Sequence, residues 1–191
     1  MQIVNPDTEV SVAPFEPVQS GNMPPDSVAA FPWYGVRVKS RFEFVTARLL
    51  RQKGFEEFLP LYRSKRVWSD RVKELDVPLF PGYVFCRFDT GRLLEVLTTA
   101  GVVHVISVGR QPIPVEKTEM DAVRSICVSG LTARPWPFLE SGRRVLVEKG
   151  PLAGIEGRVI SAKGEWRLVV SVSLLQRAVS TEIDREWIRP I

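Results

Sequence analysis

The stretch PLFPGYVFCRF, residues 78–88, sets a proline and a glycine in front of an apolar and aromatic run. Tyr83 to Arg87 read as one short strand. Side chains alternate across a strand, so Tyr83, Phe85 and Arg87 share one face and Val84, Cys86 and Phe88 the other. One face can enter a core. What the second aromatic face meets is the question on which fold and function both turn. Pro81 cannot donate a ladder hydrogen bond and belongs at a strand start or edge. Gly82 lets another backbone or side chain come close.

Upstream, WYGVRV (33–38) reads as a strand and SRFEFVTARLLRQKG (40–54) as a helix. Ser40 with Glu43 three residues on is a capping-box signature, because each side chain can satisfy the other residue's free amide. Phe42, Val45, Leu49 and Leu50 form an apolar stripe at helical spacing, and Gly54 suits a left-handed stop. Arg41, Arg48, Arg51 and Lys53 occupy the opposite, basic side. Residues 56–88 read as two strands around a loop with Ser69-Asp70 at its tip. The flanks carry Arg63, Lys65, Arg66, Arg71 and Lys73, with Trp68 among them.

Downstream, GRLLEVLTTAG (91–101) reads as a short helix with Leu93, Leu94 and Leu97 on its packing side. VVHVISVG (102–109) follows as a strand. In PVEKTEMDAVRSICVSG (114–130), Val115, Met120, Val123, Ile126 and Cys127 keep a helical period and Gly130 ends it. LTARPWPFLESG (131–142) has two prolines and no period, so the linker is placed at 131–140. From residue 143 the chain turns to short Val-rich strands: RVLVEKG, GRVISAKG, EWRLVVSVS, AVSTEID and WIRPI. That pattern suggests a small five-stranded barrel. Residues 1–30 hold five prolines and a single aromatic, Phe15. They have little to bury against their ordering entropy and are expected to be disordered.

At 191 residues the chain allows one domain or two small ones. It has no apolar run near the roughly 20 residues of a membrane-spanning helix and no signal-peptide pattern at its start. Cys86 and Cys127 lie far apart, without metal or redox spacing, which fits a reduced cytoplasm. The net charge of +4 hides an asymmetry. Residues 1–30 contain no Lys or Arg but four acids, Asp7, Glu9, Glu16 and Asp26, leaving +8 on the remainder. Such a balance suits a polyanionic partner.

Catalytic signatures are missing from the sequence. It contains neither a phosphate-cradling Gly-rich loop ending in Lys-Ser/Thr nor a nucleophile elbow. His104 is the only histidine, so no cluster of paired imidazoles can hold a metal; it reads as a packed or half-exposed strand residue. Glu56 and Glu57 point to opposite faces of a strand, and Glu182 and Asp184 read as solvated acids. The expectation is a non-enzyme without metal or cofactor.

The order strand, capped helix, basic hairpin, FPGYVF, helix, strand, helix, linker and small barrel resembles the NusG/RfaH family of transcription elongation and antitermination factors. So does GRRVLVEKGPLAGIEGRV (142–159), a Gly-Pro turn between two Val-rich strands. RLVVSVSLLQRAVSTEIDREWI follows the family's barrel half. The resemblance implies an α+β architecture. Residues 31–130 would form an antiparallel sheet flanked by helices, and residues 141–191 an SH3-like KOW barrel. It covers everything except residues 1–30.

The resemblance also implies a function. The N-terminal domain of the family docks an apolar patch onto the clamp helices of the largest catalytic subunit of RNA polymerase. Phe80, Pro81 and Tyr83 fall on the matching positions, with Trp33 and Tyr34 nearby. The basic set Arg41, Arg48, Arg51, Lys53, Lys65 and Arg66, with Trp68 available for stacking, would meet upstream duplex or the non-template strand. In the KOW domain, Pro151, Leu152 and Ile155 fall where family members bind Rho or the ribosomal protein also called NusE. Leu152 stands where an aromatic is frequent. The acidic Pro-rich extension and FDTGRLLEVLTTAGVVHVISVGRQPIPV are closer to operon-specific relatives. A monomeric cytoplasmic factor is expected, the alternative being a KOW-type RNA- or ribosome-binding module.

Some members of this family refold the C-terminal domain into helices. Here β-branched residues favour strands, and Gly150, Gly154, Gly157 and Gly164 would interrupt a helix. The expectation is a β-barrel in the full chain that leaves Phe80 and Tyr83 available.

Overall fold

Alternation along the 33–38 run decides the first layer. β1 (Trp33–Val38) lies inside a four-stranded antiparallel sheet of order β2–β5–β1–β6, with β2 at Glu56–Phe58, β5 at Tyr83–Arg87 and β6 at Val102–Val105. Trp33 stands opposite Arg87, Gly35 opposite Phe85 and Arg37 opposite Tyr83. The computed structural model describes residues 31–68, 71–137, 142–162 and 165–191. The expected disorder of residues 1–30 and the Ser69-Asp70 tip lie outside the described residues.

Both faces of this sheet are covered. On one, Tyr34, Val36, Val38, Val84, Cys86 and Phe88 pack with Phe55 and with Ala47 and Leu50 of α1 (Glu43–Gln52). On the other, Trp33, Phe80 and Phe85 join Met120, Val123 and Ile126 of α3 (Lys117–Val128). The second aromatic face of the opening stretch is therefore a core face as well.

Helix α1 departs from its expected start and packing. Phe42 occupies its N-cap without any side-chain cap hydrogen bond, so the Ser40–Glu43 capping box does not form. The buried positions are Glu43, Thr46, Ala47 and Leu50, while Phe42 and Val45 of the expected stripe are exposed. The start of the helix is set close against the chain at Ala100-Gly101. The Thr46 hydroxyl donates to the Ala100 carbonyl at 3.0 Å, and a Cβ at Gly101 would stand 2.3 Å from Thr46 Oγ1. Phe42 lies against the same glycine, so a side chain at position 101 would meet both residues. Gly54 supplies the expected left-handed stop, at φ +79°.

The basic hairpin forms as expected, from β3 (Leu61–Trp68) and β4 (Arg71–Pro78). α2 (Leu93–Leu97) buries Val96, whereas Leu94 and Leu97 are exposed. The run 102–109 is broken at Ile106, whose N–H reaches the Gly35 carbonyl at 2.9 Å. Beyond the break, β7 (Ser107–Val108) pairs with β8 (Gln111–Pro112).

The five expected C-terminal strands all form: β10 (Arg143–Val147), β11 (Glu156–Ala162), β12 (Glu165–Val172), β13 (Arg177–Glu182) and β14 (Ile188–Pro190). A sixth joins them where the sequence reading places the linker. β9 (Ala133–Pro137) pairs antiparallel with β13, giving the order β14–β10–β11–β12–β13–β9. Pro135 and Pro137 are two apart, so their missing donors fall on one edge of the strand. An edge strand accommodates that, and the prolines end the sheet there.

Val145, Val147, Leu152, Val159, Leu168, Val170, Val172 and Val179 fill the C-terminal core. The strands expected in the full-length chain are present, but they are not held apart from the first domain. α3 lies against β12, and one apolar cluster runs from Trp33, Phe80 and Met120 into the C-terminal sheet. The Glu119 carboxylate of α3 accepts from the Ser173 hydroxyl at 2.7 Å and from its N–H at 3.1 Å.

Candidate functional site

The turn before β5 is built by three pieces of chain. Gly82 has φ +80°, a conformation that side-chain-bearing residues avoid. Its N–H donates to the Glu43 carboxylate at 2.8 Å in a buried position, and its carbonyl accepts from the Val38 N–H at 2.9 Å. The Arg37 guanidinium lies 4.8 Å from the centre of the Tyr83 ring and donates to the Gly82 carbonyl at 3.5 Å. A Cβ at Gly82 would stand 2.4 Å from Arg37 Nη1. Glycine is thus required for the backbone conformation, and the absent side chain leaves the room that the Arg37 guanidinium occupies.

Around this turn the expected residues separate. Pro81 is exposed and Tyr83 half-buried. Phe80 is 1% exposed and sits edge-on to Phe85, with ring centres 5.4 Å apart. Trp33 is also buried, with Phe58 at 6.4 Å and the guanidinium groups of Arg87 and Arg124 at 4.7 and 5.2 Å from its ring. Glu56 accepts from both arginines, at 2.9 and 3.4 Å. Tyr34 does not join this group. As the neighbour of Trp33 in a strand it points to the opposite face, where it packs 4.5 Å from Phe88. Burial, with the charge of Asp89 adding to it, raises the Tyr34 pKa.

The expectation that Phe80 and Tyr83 stand open is met only by the rim of the turn. The short helical turn Ser173–Leu175 that follows β12 places Leu175 against Gly35. Gly35 shares a sheet face with Arg37, Tyr83 and Phe85. The C-terminal sheet therefore occupies part of the face on which the patch is expected.

The basic set is also dispersed. Arg41 and Arg48 are exposed, and Arg41 holds φ +67° just before α1, a strained conformation for a residue with a side chain. Arg51 instead pairs with Glu57. The Lys53 ammonium donates to the Glu95 carbonyl and the Thr99 hydroxyl, each at 2.8 Å. The side chains of Lys65, Arg66 and Trp68 lie outside the described residues. His104 is exposed on the edge strand β6.

In the C-terminal sheet, Pro151 is exposed but Leu152 is 1% exposed and belongs to the core. Its loop folds back onto Trp187: a Cβ at Gly150 would stand 2.6 Å from that ring. Ile155 is half-buried and lines a cleft of about 490 Å³ together with Glu119 and Ala122 of α3. Of the three expected partner residues, Pro151 alone is exposed.

Arg37, Glu43, Phe58 and Arg124 complete the site, and the sequence reading does not include them. Glu43 carries a misleading signal, because its spacing from Ser40 reads as a local cap while its partner is 39 residues away. Arg37 had a usable one: two residues beyond Gly35, it shares a face with Trp33.

The family model for the transcription termination factor NusG matches residues 31–124. The transcription termination/antitermination protein NusG of Yersinia pestis is 30% identical over 173 residues, covering 80% of this chain and 92% of that protein. The NusG of Escherichia coli strain K12 shows the same identity and coverage. The solved structure of Thermotoga maritima NusG covers 86% of this chain and 99% of its own, with a TM-score of 0.51 and 20% identity, and agrees in fold. With the antiparallel N-terminal sheet covered by helices on both faces and the six-stranded C-terminal sheet in place, the chain belongs to the NusG family of transcription termination/antitermination factors.

Proposed function

We propose that the chain is a transcription elongation and antitermination factor that docks on the clamp helices of the largest catalytic subunit of RNA polymerase. The docking surface is the turn Phe80-Pro81-Gly82-Tyr83 and the sheet face beside it. The observation that carries this reading is the build of the turn. A proline and an aromatic ring stand at the rim of an apolar face, held by charged side chains from two other elements. Half-buried aromatics of this kind are the side chains that dominate interface energies. Trp33 and Phe80 form the floor beneath the surface, and Tyr34 supports the opposite core.

Leu175 shares this face, so docking requires the Ser173–Leu175 turn to withdraw. The released C-terminal domain then offers Pro151 and Ile155 to a further partner, Rho or the ribosomal protein called NusE. Arg41 and Arg48 supply a weak, sequence-independent attraction to upstream or non-template DNA. The factor acts as a cytoplasmic monomer.

The test is capture of core RNA polymerase by the immobilised full-length chain and by its Tyr83→Ala variant. Capture by the wild type and its loss in the variant support the reading. Equal capture by both removes it.

A further inference from the structure

Glu43 is a carboxylate at 7% exposure, in the first turn of a helix whose other buried positions are Thr46, Ala47 and Leu50. Stability alone does not ask for a charge there. Burying a carboxylate is costly, and an apolar side chain of similar volume often serves a fold as well or better. The helix N-terminus offsets part of that cost. The rest is set against one specific contact, the 2.8 Å hydrogen bond from the Gly82 N–H. That amide belongs to the peptide joining Pro81 to Gly82, so its orientation determines where the chain points as it enters Tyr83.

A second charged side chain acts on the other end of the same residue. Arg37 donates to the Gly82 carbonyl and lies over the Tyr83 ring. Gly82 would otherwise be the most mobile point of the turn. It is held at its N–H by α1 and at its carbonyl by β1, through Arg37 and the Val38 N–H.

We propose that Glu43 is a positioning residue for partner docking: by fixing the Pro81–Gly82 peptide it presets Tyr83, which Arg37 braces, in the orientation that the partner meets. The inference rests on the reading of this turn as the polymerase-binding surface. A surface set in advance loses less conformational entropy on binding. Glu43 touches no partner and acts only through Gly82.

The experiment uses the full-length chain as wild type, Glu43→Leu, Glu43→Gln and Tyr83→Ala. Two quantities are read: hydrogen exchange of the Gly82 amide by NMR, and affinity for core RNA polymerase. Glu43→Leu is expected to keep the fold while Gly82 exchange rises and affinity falls, each about tenfold, the scale of removing one charge-assisted hydrogen bond. Val84 exchange is expected to stay slow. Glu43→Gln keeps an acceptor oxygen in place and is expected to restore both quantities toward wild type. If Glu43→Leu does not fold, Glu43→Ala takes its place in the same comparison.

Unchanged Gly82 exchange in Glu43→Leu would overturn the clamp. Freed Gly82 exchange with wild-type affinity, while Tyr83→Ala loses binding, would leave Glu43 a purely structural residue and overturn the positioning role. Wild-type affinity in Tyr83→Ala would overturn the docking reading, and the positioning role with it. In that case Gly82 exchange still shows separately whether the clamp exists.

Discussion

Leu175 of the C-terminal domain lies against Gly35 of the N-terminal sheet: a Cβ added at Gly35 would stand 3.1 Å from Leu175 Cδ2 and 3.3 Å from Ile106 Cγ1. The missing side chain makes the socket, and the Glu119–Ser173 hydrogen bonds hold the turn that carries the leucine. Leu175→Asp places a charge against an apolar wall and is expected to release the C-terminal domain. Small-angle scattering should show a larger radius of gyration, and capture of core polymerase should increase. An unchanged radius in a folded Leu175→Asp chain would mean that the Leu175–Gly35 packing does not hold the domains together.

Phe80 and Tyr83, three residues apart, should respond differently to truncation. Phe80→Ala empties a fully buried site against Phe85 and is expected to lower stability by about 3–5 kcal/mol. Tyr83→Ala removes a half-buried ring at the rim and is expected to cost well under half of that. Urea denaturation of the two variants measures the difference. Equal losses would place Tyr83 in the core.

Arg41 and Arg48 are exposed, whereas the equally exposed Arg51 pairs with Glu57 and Lys53 donates to Glu95 and Thr99. Arg41→Glu with Arg48→Glu is expected to weaken binding to a DNA duplex and to flatten the dependence on salt. The slope of log K against log salt should fall by about 0.9 for each phosphate that is no longer neutralised. A wild-type affinity that hardly changes with salt would rule out phosphate binding by this face.

Cys86 gives the fold a dependence on alkaline pH. Burial, with the Glu57 carboxylate adding to it, pushes the thiol pKa from 9.0 up to about 12. The native state favours the neutral thiol, while the unfolded thiol ionises near the ordinary value. This contribution is therefore complete below pH 9.0 and is lost as pH rises toward 12. Between pH 7 and pH 10, Cys86→Ala should lose about 1.4 kcal/mol less stability than the wild type. Parallel losses in the two chains would show that Cys86 is solvated in the native state.

Strand alternation and helical period were enough to find the hairpin, the Tyr83–Arg87 strand, α3 and the five C-terminal strands, because each carries its signal within a few residues. What the sequence hid is tertiary. Phe42, Val45, Leu49 and Leu50 keep a helical period, yet α1 buries Glu43, Thr46 and Ala47 with Leu50, and the partners of Glu43 and Thr46, Gly82 and Ala100, lie 39 and 54 residues away. Leu94 and Leu97 face outward because a five-residue helix takes its orientation from the chain on either side. The 133–137 strand has two prolines and no period; only the open edge of β13 makes it a strand. The FPGY motif marked the candidate site, but the residues that hold its turn, Arg37 and Glu43, lie about 40 positions upstream: strand alternation places Arg37 on the face of Trp33 without naming its partner, and Glu43 reads locally as a cap.

The most direct measurement places a photo-crosslinking benzoylphenylalanine at Tyr83 in the full-length chain, adds core RNA polymerase, and maps the adduct by mass spectrometry. The account expects a crosslink to the clamp helices of the largest catalytic subunit, weakened by Glu43→Leu and strengthened by Leu175→Asp. No adduct with polymerase, or one confined to a surface away from the clamp helices, would contradict it.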